Sequence, residues 1–218
     1  MIKLCIFDLD GTLINSLYDL AAAMNYALEH NGFHKHDPEK YRLMVGSGVS
    51  VLADRAMNIN IPDEIRKQAV LSDFAGYYND HCIDLTKPYD GVEALLDRLD
   101  QKNILYAVNS NKPDNFANYI VSQLFPDRHF SLVLGKREGF ERKPSPDGVF
   151  TILKETGIST DECIYIGDSN VDVYTAANAG IKFCGVSWGF RAVEELTQAG
   201  AGYIAQTPED IFSYIIEQ

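Results

Sequence analysis

The sequence predicts an α/β fold in which a doubly wound parallel sheet carries one inserted block of helices. Three observations support this prediction. From residue 87 onwards, short apolar runs alternate with segments of helical periodicity, which is typical of parallel βαβ units. Residues 16–82 show helical spacing and no strand pattern. Polar clusters also follow several apolar runs directly, at the sheet edge where such folds bind ligands.

The first element is an apolar run at residues 2–7, which predicts a buried strand ending at Asp8. Asp10-Gly11-Thr12 then predicts a turn. A helix follows from about residue 16, with its leucine, alanine and methionine side chains at helical spacing, and it closes at Asn31-Gly32.

More helices are predicted after that turn, at about residues 38–44, 48–57, 62–70 and 71–82. We therefore divide the chain into a core and a helical insertion. The core takes residues 1–15 and 83–218, and the insertion takes residues 16–82.

The rest of the chain is predicted to alternate between helix and strand. Helices are predicted at residues 91–101, 114–124, 145–156, 170–179 and 208–216. Strands are predicted at residues 104–108, 131–134, 163–166, 182–186 and 203–204.

The charge of the chain limits its partners. It has 218 residues with 19 basic and 31 acidic side chains, a formal net charge of −12. Because a field of this sign repels nucleic acid and anionic membranes, we predict neither as a partner. A site for an anionic substrate would have to be locally positive, through a metal, a lysine or backbone amides. The acidic excess is otherwise typical of a solubility feature.

The chain is predicted to be cytoplasmic. Its first apolar run is too short for a signal peptide, and no run approaches the ~18 apolar residues of a membrane span. The four cysteines form no CxxC pair, which favours core thiols in a reducing compartment. The sequence assigns no oligomeric state.

The segment Asp8-Leu9-Asp10-Gly11-Thr12 carries two carboxylates at a spacing that turns both to one side of an extended chain. One carboxylate can attack phosphorus, and the other can protonate a leaving oxygen and then activate water. Gly11 allows a tight turn, and the backbone amides of Gly11 and Thr12 can hold phosphate oxygens. The alternative is an acidic turn after a strand, which is common without any function.

A second acidic segment, Gly167-Asp168-Ser169-Asn170-Val171-Asp172, follows the predicted strand at 163–166. Together with Asp8 and a backbone carbonyl, Asp168 and Asp172 offer the oxygen ligands that Mg²⁺ prefers. The alternative is that Asp168 and Ser169 only cap the next helix. Both interpretations can hold at once.

Two further segments offer groups that bind phosphate. Ser110 and Asn111 follow a predicted strand and can donate to phosphate oxygens, although a polar turn with Pro113 near the start of a helix is the favoured interpretation of this segment alone. Lys143 lies in a proline-rich loop and can neutralise a transferring phosphoryl group, although a surface lysine is the alternative.

Taken together, these segments resemble the four signature segments of the haloacid dehalogenase (HAD) superfamily, in its phosphatases with a helical cap. The resemblance covers nearly the whole chain and is carried by Asp8-Leu9-Asp10-Gly11-Thr12-Leu13, Ser110-Asn111-Lys112-Pro113, Lys143-Pro144-Ser145-Pro146-Asp147 and Gly167-Asp168-Ser169-Asn170-Val171-Asp172. It implies a Rossmann-like, HAD-like core, with residues 16–82 as a cap that closes over a small phosphorylated metabolite.

The resemblance also implies a role for each residue. Asp8 would be the nucleophile, and Asp10 the general acid and base. Ser110 and Lys143 would hold the phosphoryl group.

The implied metal is Mg²⁺. Asp8, Asp168 and the backbone carbonyl of Asp10 would bind it, and Asp172 would support its ligand shell.

Within the superfamily, the chain is most similar to the phosphoglycolate phosphatases. Val45-Gly46-Ser47-Gly48 in the cap carries this similarity together with the Ser110 segment. Gly46, Ser47 and Gly48 would contact a small anionic substrate, although a helix–helix turn explains them equally. Asn15 and Ser110 depart from the usual aspartate and threonine.

Other functions stay open. A phosphomutase of the β-phosphoglucomutase type would share Asp8, Asp10 and the metal. A dehalogenase would need neither Asp10 nor Mg²⁺, and a binding protein on the same fold would need no catalysis. The His34-Lys35-His36 segment is interpreted as solvated, Arg191 as structural, and Tyr77 and Tyr78 as cap packing.

Overall fold

The structure is a computed structural model, and it describes residues 1–58 and 63–218. Its strands are β1 (Leu4–Phe7), β2 (Ile14–Asn15), β3 (Lys87–Pro88), β4 (Leu105–Pro113), β5 (Val133–Lys136), β6 (Cys163–Gly167), β7 (Lys182–Val186) and β8 (Ile204–Ala205). All but β2 and β3 form one parallel sheet in the order β5-β4-β1-β6-β7-β8. The predicted α/β fold is confirmed.

The chain order of this sheet creates a switch point beside β1. After β1 the chain builds one side of the sheet with β4 and β5, and it then crosses to the other side with β6, β7 and β8. In register, Leu4 of β1 pairs with Leu105 on one side and with Cys163 on the other. Ligands of open parallel sheets bind at such a point, beyond the carboxyl ends of the strands.

Helices cover both faces of the sheet. The helices are α1 (Leu17–His30), α2 (Val49–Met57), α3 (Glu64–His81), α4 (Val92–Gln101), α5 (Asp114–Leu124), α6 (Asp147–Thr156), α7 (Asn170–Ala179), α8 (Val193–Ala199) and α9 (Pro208–Ile216). Cys5 and Phe7 pack on the face covered by α4, α5 and α9, whereas Leu4 and Ile6 pack against α6 and α7. No described helix is long and apolar enough to cross a membrane.

The insertion contains α1, a 3₁₀ helix at Pro38–Leu43, α2 and α3, and α1 packs against the other three elements. The two helices predicted at 62–70 and 71–82 are one continuous helix, α3, because nothing near Val70 or Leu71 caps or breaks it. The prediction at residue 62 lies outside the described residues. The division into core and insertion at residues 16–82 stays a prediction.

Several other differences concern the core, and one of them is β5, which spans Val133–Lys136 instead of 131–134. Strand β4 runs to Pro113 instead of ending at 108, because its pairing with β5 resumes beyond an irregularity, where Pro113 pairs with Lys136. Ser110 and Asn111 therefore lie within the strand. The short ribbon of β2 and β3 and the seven-residue helix α8 were not predicted.

The chain is anchored where it returns from the insertion to the core. The carboxylate of Asp19 in α1 is buried and accepts hydrogen bonds from the amides of Leu85 and Thr86 and from the Thr86 hydroxyl, the last at 2.7 Å. Buried donors of this kind are costly when they lose their acceptor. Asp19 therefore holds the base of the insertion to the chain that enters β3.

We expect Asp19→Ala to lower the free energy of unfolding by roughly 2–3 kcal/mol, because two buried donors of Thr86 and the partly buried Leu85 amide lose a charged acceptor. Chemical denaturation with urea measures this change. The exposed Asp127 provides the control, since Asp127→Ala should shift stability by less than about 0.5 kcal/mol. Equal stability of the two variants would contradict the anchoring role of Asp19.

Candidate active site

The acidic residues predicted to act together meet at the carboxyl ends of β1 and β6. Asp8 follows β1 and Asp168 follows β6, while Asp172 lies in the first turn of α7. One carboxylate oxygen from each of the three lies within 4.8 Å of the others. All three residues are buried, and Asp172 is fully so. The parallel register of β1 and β6 brings these separate segments into one cluster.

Lys143 is the cation of this cluster. Its ammonium lies 2.9 Å from Asp8 and 2.7 Å from Asp172, and its side chain is only 3% exposed. Three carboxylates against one ammonium leave two negative charges uncompensated in a buried place. This is the charge of one divalent cation, and carboxylate oxygens are the ligands of hard cations such as Mg²⁺. The residues therefore fit a divalent metal.

The pKa values reflect the same excess of negative charge. Burial raises the pKa of Asp8 to about 7, against the lowering effect of Lys143 and with a further rise from Asp172. Burial, then Asp172 and Asp8, raise the pKa of Asp168 well above its usual range. Burial alone would lower the pKa of Lys143, but Asp172 and Asp8 outweigh it and raise that pKa well above its usual value. Lys143 thus stays charged.

Backbone and hydroxyl donors fix the orientation of the carboxylates. Asp172 accepts from the amide and the hydroxyl of Ser169 at 3.1 and 2.6 Å, which forms the capping box of α7. The helix-capping alternative therefore holds for Ser169. Asp168 accepts from the amide of Phe190 at 2.7 Å. Asp172 takes part in the capping box and in the carboxylate cluster at the same time, so the two interpretations are compatible.

Two glycines allow the close approach to Asp168. A Cβ on Gly189 would lie 2.2 Å from the Cβ of Asp168, and one on Gly11 would lie 2.4 Å from its carboxylate. Gly11 also has a φ of +87°, which other residues rarely adopt. The importance of Gly189 and Phe190 was missed. The only available signal was the glycine of Trp188-Gly189-Phe190-Arg191, directly after the strand at 182–186.

Asp8 has one carboxylate oxygen that is not held by the protein. The amide of Leu9 and the ammonium of Lys143 both contact Oδ1, at 2.7 and 2.9 Å. No described residue donates a hydrogen bond to Oδ2. One oxygen is therefore oriented by its partners and the other is available for chemistry.

Asp10 forms a separate ion pair that the sequence analysis missed. Lys112 donates to both carboxylate oxygens of Asp10, at 2.9 and 3.1 Å, and Ser16 donates to Oδ1 at 2.5 Å. Burial alone would lower the pKa of Lys112, but the attraction of Asp10 and the contact with Tyr78 outweigh it and raise that pKa. The signal was present, since Lys112 lies in the Ser110-Asn111-Lys112-Pro113 segment, but it had been given no role.

The polar residues near β4 have different surroundings. The Asn111 amide donates to the carbonyls of Gly46 and Lys143, and its oxygen accepts from the Lys143 amide at 2.8 Å. Asn111 thus connects the insertion to the Lys143 loop. Ser110 accepts from the Lys112 amide at 3.2 Å, and the buried hydroxyl of Thr12 has no partner among the described residues.

A cavity of about 40 Å³ lies between the sheet edge and the insertion. Asp8, Asp10, Ser110, Asn111, Gly46 and Gly48 line it, together with mostly apolar side chains. Ser47 is not among the described lining residues, and its side chain contacts Arg55 instead. Arg191 donates to the Val45 carbonyl at 2.8 Å, beside this loop.

Comparison with known proteins places this fold and site in a family. The sequence model of the family described as haloacid dehalogenase-like hydrolase matches residues 5–186, and the chain therefore belongs to this family. A phosphoglycolate phosphatase of Pseudomonas fluorescens strain Pf0-1 is 35% identical over 193 residues, which cover 86% of this chain and 70% of that protein. A phosphoglycolate phosphatase of Vibrio parahaemolyticus is 29% identical, and the match covers 98% and 96% of the two chains.

The similarity extends to three-dimensional structure. A crystal structure of a candidate phosphoglycolate phosphatase from Lactobacillus delbrueckii subsp. bulgaricus matches with a TM-score of 0.91 and 36% identity, over 98% of each chain. The family resemblance drawn from the signature segments is confirmed. The chain is a phosphatase of this family and is similar to phosphoglycolate phosphatases.

Proposed function

We propose that the protein is a Mg²⁺-dependent phosphohydrolase that cleaves a small phosphomonoester of the phosphoglycolate type through an aspartyl phosphate on Asp8. The observation that supports this proposal most directly is the difference between the two carboxylate oxygens of Asp8. One of its oxygens is held by Lys143 and Leu9, and the other is free beside a cavity that also contains Asp10.

The first step is attack by Asp8 on phosphorus. A bond forms between the free carboxylate oxygen and phosphorus as the bond to the ester oxygen breaks. Asp10 gives its proton to the departing alcohol. Lys143 and Ser110 hold the phosphoryl oxygens, and Thr12 contributes its unpartnered hydroxyl, whereas the Gly11 amide already donates to the Ile14 carbonyl at 2.9 Å.

The second step releases phosphate. Asp10, now ionised, accepts a proton from a water molecule that attacks phosphorus. The bond between phosphorus and Asp8 breaks, which regenerates the carboxylate and yields inorganic phosphate. Asp10 ends protonated and ready for the next substrate, so protons balance over the cycle.

Mg²⁺ would be held by Asp8, Asp168 and the carbonyl of Asp10, with Asp172 supporting its ligand shell. When bound, it supplies positive charge that stabilises the transferring phosphoryl group. The two uncompensated negative charges of the carboxylate cluster support this assignment. Asp172 already accepts hydrogen bonds on both oxygens, which favours a supporting role.

The insertion at residues 16–82 would act as a cap. Gly46 and Gly48 line the cavity with φ values of +107° and +86°, and the Gly46 carbonyl accepts from Asn111 of the core. The cavity that Asp8 and Asp10 share with the insertion is lined mostly by apolar side chains. Such a lining offers few partners to the hydroxyls of a hexose, which favours a small leaving group and a phosphatase over a mutase. The expected cytoplasmic location stays a prediction from the sequence.

We expect Mg²⁺ to stabilise the fold, because it neutralises buried charge. At a hundredfold excess over Kd, the stabilisation is about 2.7 kcal/mol, which should raise Tm by roughly 5–10 °C. Differential scanning calorimetry with Mg²⁺ and with a chelator measures the shift.

Asp168→Asn provides the matched control. This variant should melt at a higher temperature than the parent in the absence of metal, because one of the buried charges is gone. It should also respond little to Mg²⁺. If the Tm of the parent protein is the same with Mg²⁺ and with a chelator, the proposed metal site is contradicted.

Phosphate release from a panel of esters tests the function itself. The panel contains phosphoglycolate, hexose phosphates, nucleotides and pyrophosphate, each with Mg²⁺ and with a chelator. We expect Mg²⁺-dependent release, fastest from the smallest esters. Absence of release from every ester, with isomerisation of a hexose phosphate, would favour the phosphomutase alternative.

A further inference from the structure

The cavity above Asp8 and Asp10 is mostly apolar, and its only cation among the described lining residues is Lys112. In the proposed mechanism the phosphoryl group is already bound by Lys143, whose ammonium lies 2.9 Å from Asp8. Lys112 is therefore placed for another part of the substrate. It extends from the end of β4, and its ammonium lies beside Asp10, where the leaving oxygen must bind if Asp10 protonates it.

Lys112 is buried on the core side but contacts the insertion as well. Its side chain is 2% exposed, and its ammonium lies 5.0 Å from the ring centroid of Tyr78 in α3. Asp10 engages one side of the ammonium only. A lysine has three donors, so this ammonium has capacity for an additional acceptor.

Tyr78 gives a second, independent indication of a ligand. Its residue is 1% exposed, and its hydroxyl has no hydrogen-bond partner among the described residues. Buried hydroxyls are usually paired, so an unpaired one that lines a cavity indicates an acceptor that arrives with a ligand. Lys112 and Tyr78 together offer a cation and a neutral donor at one end of the cavity.

The apolar neighbours limit what this acceptor can be. Leu20, Leu52 and Phe74 line the same cavity and offer it no polar atom. A sugar hydroxyl would therefore find little to bind there, whereas a compact anion would find Lys112. Once Asp10 has given its proton to the leaving oxygen, its charge would repel a carboxylate beside it, and the Lys112 ammonium that contacts Asp10 offsets this repulsion.

We propose that Lys112 and Tyr78 bind a carboxylate on the leaving group, and that they select phosphate esters of small 2-hydroxy carboxylic acids. In such esters one carbon atom separates the carboxylate from the leaving oxygen, so a group that touches Asp10 also reaches the carboxylate. The proposal deepens the function proposed above and rests on it. Tyr78, interpreted from the sequence as cap packing, becomes a specificity residue.

Recognition of the carboxylate can be separated from catalysis by measuring binding to a variant that does not hydrolyse its substrate. Calorimetry on Asp8→Asn with Mg²⁺ compares 2-phosphoglycolate with ethyl phosphate, which has the same chain length and no carboxylate. We expect phosphoglycolate to bind about tenfold to hundredfold more tightly. Adding Lys112→Met should reduce this preference to within about threefold, and adding Tyr78→Phe should reduce it about fivefold.

Tyr77→Phe is the matched control, because Tyr77 lies in the same helix and stacks on Tyr26 at 4.7 Å. It should leave the preference unchanged. Equal weakening of both ligands by Lys112→Met would overturn the proposal, since Lys112 would then only position Asp10. An Asp8→Asn protein without any preference would overturn it too.

If Lys112→Met fails to fold, Tyr78→Phe still tests the proposal. This substitution removes only a hydroxyl without a described partner, so the fold should be kept. If the proposed function is wrong, the unsubstituted protein should release no phosphate from either ester. The preference for phosphoglycolate over ethyl phosphate is measured by calorimetry and does not depend on phosphate release.

Discussion

Asp8→Asn is expected to lower the rate of phosphate release by at least about 10⁴-fold, because the variant loses the nucleophile of the first step. The amide oxygen of asparagine can still accept from Lys143 and from the Leu9 amide, so the local structure should be kept. Stability without metal should stay equal or rise, since one charge of the buried cluster is removed. Steady-state release of phosphate from phosphoglycolate and thermal unfolding measure the two effects.

Asp161→Asn is the control for this experiment. Asp161 is exposed and lies at the other end of β6, before Cys163. Its replacement should leave activity and Tm close to those of the parent. An Asp8→Asn protein that keeps more than about one hundredth of the parent rate would contradict the role of Asp8 as nucleophile.

Lys143→Met should cost about 3–5 kcal/mol of unfolding free energy in the absence of metal. The substitution keeps an apolar side chain of similar length but removes the cation from between Asp8 and Asp172. Three buried carboxylates then face one another without any cation. We also expect release of phosphate to fall by about 10²–10³-fold, because the phosphoryl group loses an ammonium that is buried beside it.

The exposed Lys154 in α6 supplies the control. Lys154→Met should change stability by less than about 0.5 kcal/mol and leave the rate unchanged. Mg²⁺ should restore part of the stability lost in Lys143→Met. A Lys143→Met protein as stable as the parent without metal would show that Lys143 does not balance the carboxylates.

The local signals of the sequence were sufficient for the core. The bounds predicted for α5, α7, α9 and β7 agree with the structure, because proline, glycine or capping residues mark where those helices and the strand begin and end. Strand β1 was recognised as an apolar run, and its burial on both faces explains why it shows no alternation.

The carboxylate cluster could also be predicted, because parallel strands bring their carboxyl ends to one edge. What the sequence did not reveal are contacts between segments that are distant in the chain. Lys112 reaches Asp10 across 102 positions, and Asn111 reaches Gly46 across 65. The Asn111 contact depends on how the insertion packs on the core, and the Lys112 contact depends on the path of the chain beyond the ends of β1 and β4. Periodicity and turn signals carry no information about such packing.

The prediction of two helices in place of α3 was wrong for the same reason. Local spacing suggested two helices around Val70, but the chain forms one helix that packs on both α1 and α2. Helix length in the insertion is decided by these neighbours, as tertiary packing usually outweighs weak local preference.

The most direct test of the account is to trap the aspartyl phosphate. Asp10→Asn should be slow to release phosphate from Asp8, because it has no base to activate water. Acetyl phosphate is a suitable substrate, because its leaving group is small and needs no protonation. After an acid quench in the presence of Mg²⁺, peptide mass spectrometry should find one phosphoryl group on the peptide with Asp8, and hydroxylamine should remove it. A phosphoryl group on any other residue, or none in a variant that still consumes acetyl phosphate, would contradict the mechanism.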